Sequence, residues 1–259
     1  MLFDLQHILF MVFSTITIVA MLICCYFFVK KDKGKSMVLQ IAAVLTVIIH
    51  YSSLYVDFFS TGSAEISDNM LLPIYPCNVA MWLLLIVAFY KNKQSKVFSV
   101  LAEFAFYLGV VGGIIGIMFN EIYANNPHLA DWDTLKGLLS HSVMLFGCLY
   151  LLVGGFIKIR VKNVLSVLYG LIGLILLGWI VIGIYSLAGL DPPNTMYLLA
   201  RPFDDYPWIN TATIGIAGLL VVFTISAIYE QIALPKEDRW YSLMRAYRKR
   251  NEDNRRNKK

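Results

Sequence analysis

Residues 7–29 read HILFMVFSTITIVAMLICCYFFV and are followed at 30–35 by KKDKGK. A bilayer hydrocarbon core about 30 Å thick takes about 20 apolar residues of helix to cross, and this run supplies them without one Asp, Glu, Lys or Arg. Six further apolar runs lie at 37–59, 71–90, 97–119, 137–157, 163–187 and 208–232, each long enough to span with some tilt. The chain of 259 residues is 58% hydrophobic and only 15% charged, with a mean hydropathy of +0.66, which excludes an ordinary soluble domain. The expectation is an all-α integral membrane protein, multi-pass in the cell membrane, built as one seven-transmembrane helical bundle over 1–235 with a basic cytoplasmic tail at 236–259.

Charge in the connections orients the bundle. KKDKGK, KNKQSK and KIRVK are basic, whereas STGSAEISDN, NEIYANNPHLADWDTLK and DPPNTMYLLARPFDDYP are acidic or mixed. The excess of Lys and Arg assigns the first set and the C-terminal tail to the cytoplasm, with the N-terminus outside. The first run is preceded by MLFDLQ, which has an acid and no Lys or Arg, and no small-residue cleavage pattern follows it, so it reads as a retained span. The tail, PKEDRWYSLMRAYRKRNEDNRRNKK, carries aromatic and apolar residues at near-helical spacing among its cations and reads as an anchor on the anionic leaflet. That role accounts for the net charge of +5 without a nucleic-acid partner.

Cys24, Cys25, Cys77 and Cys148 all fall inside apolar runs and form no zinc spacing, so neither a disulfide framework nor a metal is expected, and no cofactor is implied. In LGVVGGIIG, Gly109 with Gly113 and Gly112 with Gly116 recur at four-residue spacing, which lets helix backbones approach closely in lipid.

An ionisable residue inside a span is costly, faces the bundle interior and is a functional candidate by default. His7, His50, Asp57, Cys77, Glu103 and His141 stand out. At 1.5 Å per residue, Cys77 lies about 9 Å below the start of the third run and His141 about 7 to 8 Å below the start of the fifth, on the same side. His7 opens the first run on that side, and His50 and Asp57, seven residues apart, share a face of the second. Only Glu103 lies toward the cytoplasm, where Lys91, Lys96 or a backbone group would pair with it. These residues outline one outward-opening polar cavity.

Pro73 suits a first helical turn, and a thiol near a helix N-terminus meets a positive dipole end that favours thiolate. A neighbouring imidazole such as His141 would take its proton, although burial in an apolar setting would instead keep Cys77 inert. His141, between Ser140 and Ser142, is equally suited to an interhelical hydrogen bond. Asn194, Tyr197 and Arg201 lie in the last outer loop, where Arg201 would grip a lipid phosphate or pair with Asp204 or Asp205.

His7 in the first run, LPIYPC with Cys77 at the mouth of the third, SHS with His141 in the fifth and NTMYLLARP in the outer loop together resemble the YwaF-like bacterial integral membrane proteins over roughly residues 5–235. That family is similar to a eukaryotic seven-span cysteine-dependent phospholipid acyltransferase, and more remotely to the androgen-induced membrane hydrolases of branched fatty acid esters, which use Thr and His. The resemblance implies a membrane phospholipid as partner, Cys77 as acyl acceptor, His141 as general base, and Asn78 or backbone N–H groups as the oxyanion site. Where relatives read LPLHLCD this chain has Tyr75 and Asn78, and Thr195 stands where Tyr is usual. Two function classes follow: an acyltransferase or hydrolase acting at the outer leaflet, or a non-enzymatic transporter or cell-envelope accessory protein with membrane protein partners. The absence of a repeat and of paired broken helices speaks against a secondary transporter.

Overall fold

Pro76, not Pro73, opens the helix of the third apolar run. In the computed structural model, which describes residues 2–63, 72–201, 207–208 and 210–256, that helix is α3, Pro76–Phe89. A residue before proline is pushed out of the helical region, and Tyr75 accordingly sits at φ −108°, ψ 155°. The stretch expected to start at 71 therefore stays non-helical through Tyr75, and Cys77 is the second helical residue.

The other long helices lie where the apolar runs place them. They are α1 (Leu5–Phe28), α2 (Asp32–Thr61), α4 (Lys96–Met118), α6 (Trp132–Val153), α7 (Val164–Leu187) and α8 (Thr211–Ala233). A short α5 (Glu121–Asn125) precedes α6, and α9 (Trp240–Arg256) follows α8. Their N-termini carry the expected caps: Asp4, Ser95, Asn120, Asp131 and Asn210 each accept a first-turn N–H. Six helical segments are long and apolar enough to cross a membrane, and α3 is a shorter apolar helix. No strand occurs among the described residues. The chain is an integral membrane protein.

α6 is the hub, packed against α1, α2, α3 and α4, while α7 leans on α4 and α8 on α7. Its most apolar stretch is 67% buried, against 11% for α1 and for α8, whose outer faces present Phe13, Ile16, Phe27 and Leu220. Lipid tails are as apolar as these side chains, so helix association rests on close packing and interhelical hydrogen bonds. The glycines of α4 supply the first. A Cβ at Gly109 would overlap the Cys148 sulfur, and one at Gly113 would come within 2.9 Å of the Leu145 Cβ. Ser14 donates to Ser142 at 2.7 Å, Trp132 to Ser52 at 3.1 Å, and Tyr107 and Ser226 meet at 2.6 Å.

Cross-links mark two chemically distinct ends. At the basic end the Lys93 ammonium donates to Ser36 Oγ at 3.1 Å and sits over the Phe156 ring. At the other, Tyr123 donates to Asp4 at 2.6 Å and Met196 N–H to the Ile74 carbonyl at 3.0 Å. α3 runs from the second end to the first, with Ile74 just before it and Lys93 just after.

Candidate functional site

The first turn of α3 leaves one main-chain donor over. Tyr75 N–H goes to Asn78 Oδ1 at 3.1 Å, Pro76 has no N–H, and the N–H groups of Asn78 and Val79 reach the Tyr75 carbonyl at 3.0 and 3.4 Å. Among the described residues the N–H of Cys77 has no main-chain acceptor; it and the Asn78 N–H lie close to the Cys77 sulfur. Asn78 is buried, and with Oδ1 facing Tyr75 its amide nitrogen is directed at His50 Nε2, 3.4 Å away. Asn78 thus caps α3 and bridges it to α2.

His141 is fixed in one tautomer. Its Nδ1–H donates to the Gly137 carbonyl at 2.7 Å, so in the neutral ring the lone pair is on Nε2. The Nε2 edge lies against Gly116, where any Cβ would overlap the ring. One turn earlier on the same helix, a Cβ at Gly112 would come within 3.9 Å of Cys77 Cα and Cβ. Positions four apart on a helix are about 5–6 Å from each other, so the Cys77 side chain and the His141 ring flank consecutive turns of one glycine-lined face. Cys77, Gly112, Gly116 and His141 are all half-buried, where α3, α4 and α6 meet. No hydrogen bond joins the thiol to the imidazole among the described residues.

The outer loop meets the same mouth. Met196 N–H bonds to the Ile74 carbonyl, and the Tyr197 ring lies 6.0 Å from that of Tyr75. Met196 and Tyr197 adopt positive φ, 52° and 57°, a costly pair for non-glycine residues. Asn194 holds that shape by accepting from Leu199 and Ala200 N–H and donating to the Ala200 carbonyl. Thr195 is fully buried beneath it. The two motifs LPIYPC and NTMYLLARP therefore form one structural unit over the start of α3. Arg201 is exposed at its edge, and its expected partners Asp204 and Asp205 lie outside the described residues.

The remaining candidates divide. Asp57 is half-buried on α2, and its main-chain carbonyl accepts from Ser60 and Thr61. His7 is buried with both ring nitrogens engaged: Nδ1 accepts Phe3 N–H at 3.1 Å, and Nε2 donates to the Ile117 carbonyl at 2.8 Å. It stacks on Tyr123 and pins α1 to the end of α4 beside Gly116. Glu103 accepts from the side chains of Ser99 at 3.0 Å and Asn163 at 2.7 Å in place of the expected Lys91, Lys96 or backbone group.

Two buried charges escape a reading of the sequence. Lys136, at the start of the fifth apolar run, donates to Ser53 at 2.6 Å and Asp133 at 2.7 Å. Glu230 accepts main-chain N–H groups from Val161 and Trp240, both at 2.8 Å. The Asp133–Lys136 spacing of three was a visible signal for the first. A carboxylate near the end of the seventh run was a weak one for the second.

Asp4 anchors α1 through Tyr123 Oη and the His7 N–H at 2.9 Å, and the Tyr123 bond foremost holds its carboxyl below the ordinary 3.8. A depressed pKa in the folded state stabilises above the unfolded value and loses that contribution as pH falls through the folded one. Resistance to thermal unfolding should therefore fall with acidification below about pH 4. Asp4→Asn should flatten that limb of the profile.

The family model described as the TMEM164 family matches residues 2–229, nearly the whole chain. The chain belongs to the TMEM164 family. That match takes in Cys77, Gly112, Gly116, His141 and the outer loop. No curated protein and no solved structure matches this TMEM164-family chain.

Proposed function

We propose that this TMEM164-family membrane protein is an acyl-transfer enzyme acting on membrane phospholipid at the outer leaflet, with Cys77 as nucleophile and His141 as base. The observation that carries the reading is the shared glycine face: Gly112 against Cys77, Gly116 against the unprotonated edge of His141. The substrate class comes from the resemblance to YwaF-like proteins and, through them, to the cysteine-dependent acyltransferase. In this reading the chain crosses the cell membrane seven times, α3 being the short crossing. The acidic end faces out, the basic end and the tail at 236–259 face the cytoplasm, and 1–235 forms the catalytic bundle.

The chemistry follows from atoms already described. His141 Nε2 takes the thiol proton as Cys77 Sγ attacks the ester carbonyl of a phospholipid, and the oxyanion collects at the Cys77 N–H that the helix start leaves over. Collapse breaks the ester C–O bond. The lysophospholipid leaves with the proton from His141, and the acyl group stays on Cys77 as a thioester. A lysolipid hydroxyl, deprotonated by His141, then attacks the thioester and regenerates the thiol. Asn78 and His50 hold the start of α3 against α2, and His7 holds the far side of the Gly116 turn. Asp57, Asn194, Tyr197 and Arg201 border the outer mouth, where the headgroup would sit.

Incubating the purified protein with phospholipid carrying a labelled acyl chain should place a hydroxylamine-labile label on Cys77. Cys77→Ala should abolish it, and His141→Ala should slow its appearance by roughly 10²–10⁴-fold, the usual worth of a positioned general base. Absence of label in wild type across several lipid compositions, with Cys77→Ala retaining the cellular phenotype, would favour a non-enzymatic membrane role.

A further inference from the structure

α9 is rooted to the end of α8 by side chains the acyl-transfer reading leaves unused. Arg239 folds back on the C-terminus of α8, donating to the Leu234 carbonyl at 3.0 Å, the Gln231 carbonyl at 2.8 Å and Gln231 Oε1 at 2.8 Å. Glu230 accepts the Trp240 N–H, and the Trp240 ring meets Phe223, a partly exposed residue on the membrane-facing side of α8. The helix that starts there carries Trp240, Leu243, Met244 and Tyr247 at the i, i+3, i+4, i+7 spacing of one face, and the last three are 48–66% exposed. Trp240 turns the start of that face toward the flank of the last span, where lipid lies.

Beside this junction is a cavity of about 210 Å³ lined by Arg160, Lys162, Glu230, Asp238, Trp240 and Leu243. Both oxygens of Glu230 accept main-chain N–H groups, and Arg160 donates to the Asp238 carbonyl at 3.3 Å. Lys162 makes no hydrogen bond among the described residues. The cavity thus sets two cations and the exposed Asp238 carboxylate beside an indole and a leucine at the level where the last span ends, with the Glu230 carboxylate turned to the Val161 and Trp240 N–H groups. The rest of the tail adds an excess of Lys and Arg over Asp and Glu.

We propose that this junction is a binding site for an anionic phospholipid. Arg160 and Lys162 take the phosphate, Trp240 and Leu243 contact the glycerol and upper acyl chains, and the apolar face of α9 lies in the adjoining leaflet. The site is at the opposite end of the bundle from Cys77 and does not depend on acyl transfer. Anionic lipid attracts each Lys or Arg near the surface strongly enough that two cations confer a preference of about tenfold or more.

Native mass spectrometry of the full chain, released from micelles holding equal phosphatidylglycerol and phosphatidylcholine, reads that preference directly. About tenfold retention of phosphatidylglycerol is expected, falling to near parity in Arg160→Gln/Lys162→Gln. Lys162→Gln alone, which breaks no hydrogen bond, should lose about half of the preference on a logarithmic scale. Lys31→Gln, an equal charge change at another exposed position of the basic end, should leave it intact. A preference unchanged in the double variant, lowered equally by Lys31→Gln, or displaced by soluble glycerol 3-phosphate would overturn the assignment.

Discussion

Gly116→Ala is expected to cut acylation of Cys77 by roughly 10²-fold or more while the helical content of the protein is retained. The added methyl would overlap Cδ2 and Nε2 of His141, so something has to move. The backbone of α4 is held at this turn by the His7 bond to the Ile117 carbonyl and by Leu145 against Gly113. The ring is the softer partner. It swings at the expense of its Nδ1–H bond to the Gly137 carbonyl, worth about 1 kcal/mol, and takes the Nε2 lone pair out of line. A base displaced by about 1 Å is enough for the predicted loss. Two neighbouring substitutions separate this from general overpacking. Gly113→Ala brings its Cβ to 2.9 Å from Leu145 and should cost about 1–3 kcal/mol of stability, while its nearest contact with His141 is the main-chain carbonyl at 3.4 Å. Gly112→Ala puts its Cβ at ordinary contact distance from Cys77, 3.9 Å, and should be tolerated on both counts. Labelling, alkylation of Cys77 read by peptide mass spectrometry, and melting temperature together distinguish the three. A Gly116→Ala protein that acylates Cys77 at the wild-type rate would remove His141 from the mechanism.

The glycine pattern that makes this test possible is visible in LGVVGGIIG, because spacing alone says which residues share a helix face. The helices themselves were equally legible, since twenty apolar residues have few other fates. Depth counting set Cys77 and His141 at a common level by starting a helix at 71, and that count fails: Cys77 is the second residue of α3, whereas His141 lies more than two turns into α6, and it is the packing of both on α4 that relates them. What the sequence did not carry was any contact whose partner is the main chain of another element. His7 was a cavity candidate, but its Nε2 belongs to the Ile117 carbonyl. Glu103 was expected to pair with Lys91, Lys96 or a backbone group and instead meets the side chains of Ser99 and Asn163. The start of α3 was misplaced because Pro73 and Pro76 both suit a first turn, and the effect of Pro76 on Tyr75 decides between them. Glu230 is the extreme case: both of its partners are amide protons that every residue but proline carries.

Glu230→Ala should therefore be the most destabilising single substitution at the basic end. The carboxylate is 2% exposed, and its loss takes the acceptors from the part-buried Val161 and Trp240 N–H groups. A fully buried orphan costs roughly 1–3 kcal/mol; for these two part-buried groups the low end applies to each, so the pair costs roughly 2 kcal/mol. Glu230→Gln should fall about midway, since its amide keeps one acceptor oxygen and turns a donor toward the other N–H. The damage is local in character. Val161 begins the turn that leads into α7, and Trp240 begins α9, so one side chain ties the starts of two helices to the end of a third. Arg239 still grips the C-terminus of α8 in the variant, and the bundle around α6 is untouched. Trypsin should then cut at Arg239 and Arg245 faster, with a lowered melting temperature, while the acylation rate of Cys77 at the far end stays near wild type. Phosphatidylglycerol retention should drop as well, although no cation has been removed, because Arg160 and Lys162 reach Trp240 and Leu243 only while Glu230 holds the three helix ends together. Unchanged melting and proteolysis in Glu230→Ala would mean that the junction is held by Arg239 alone.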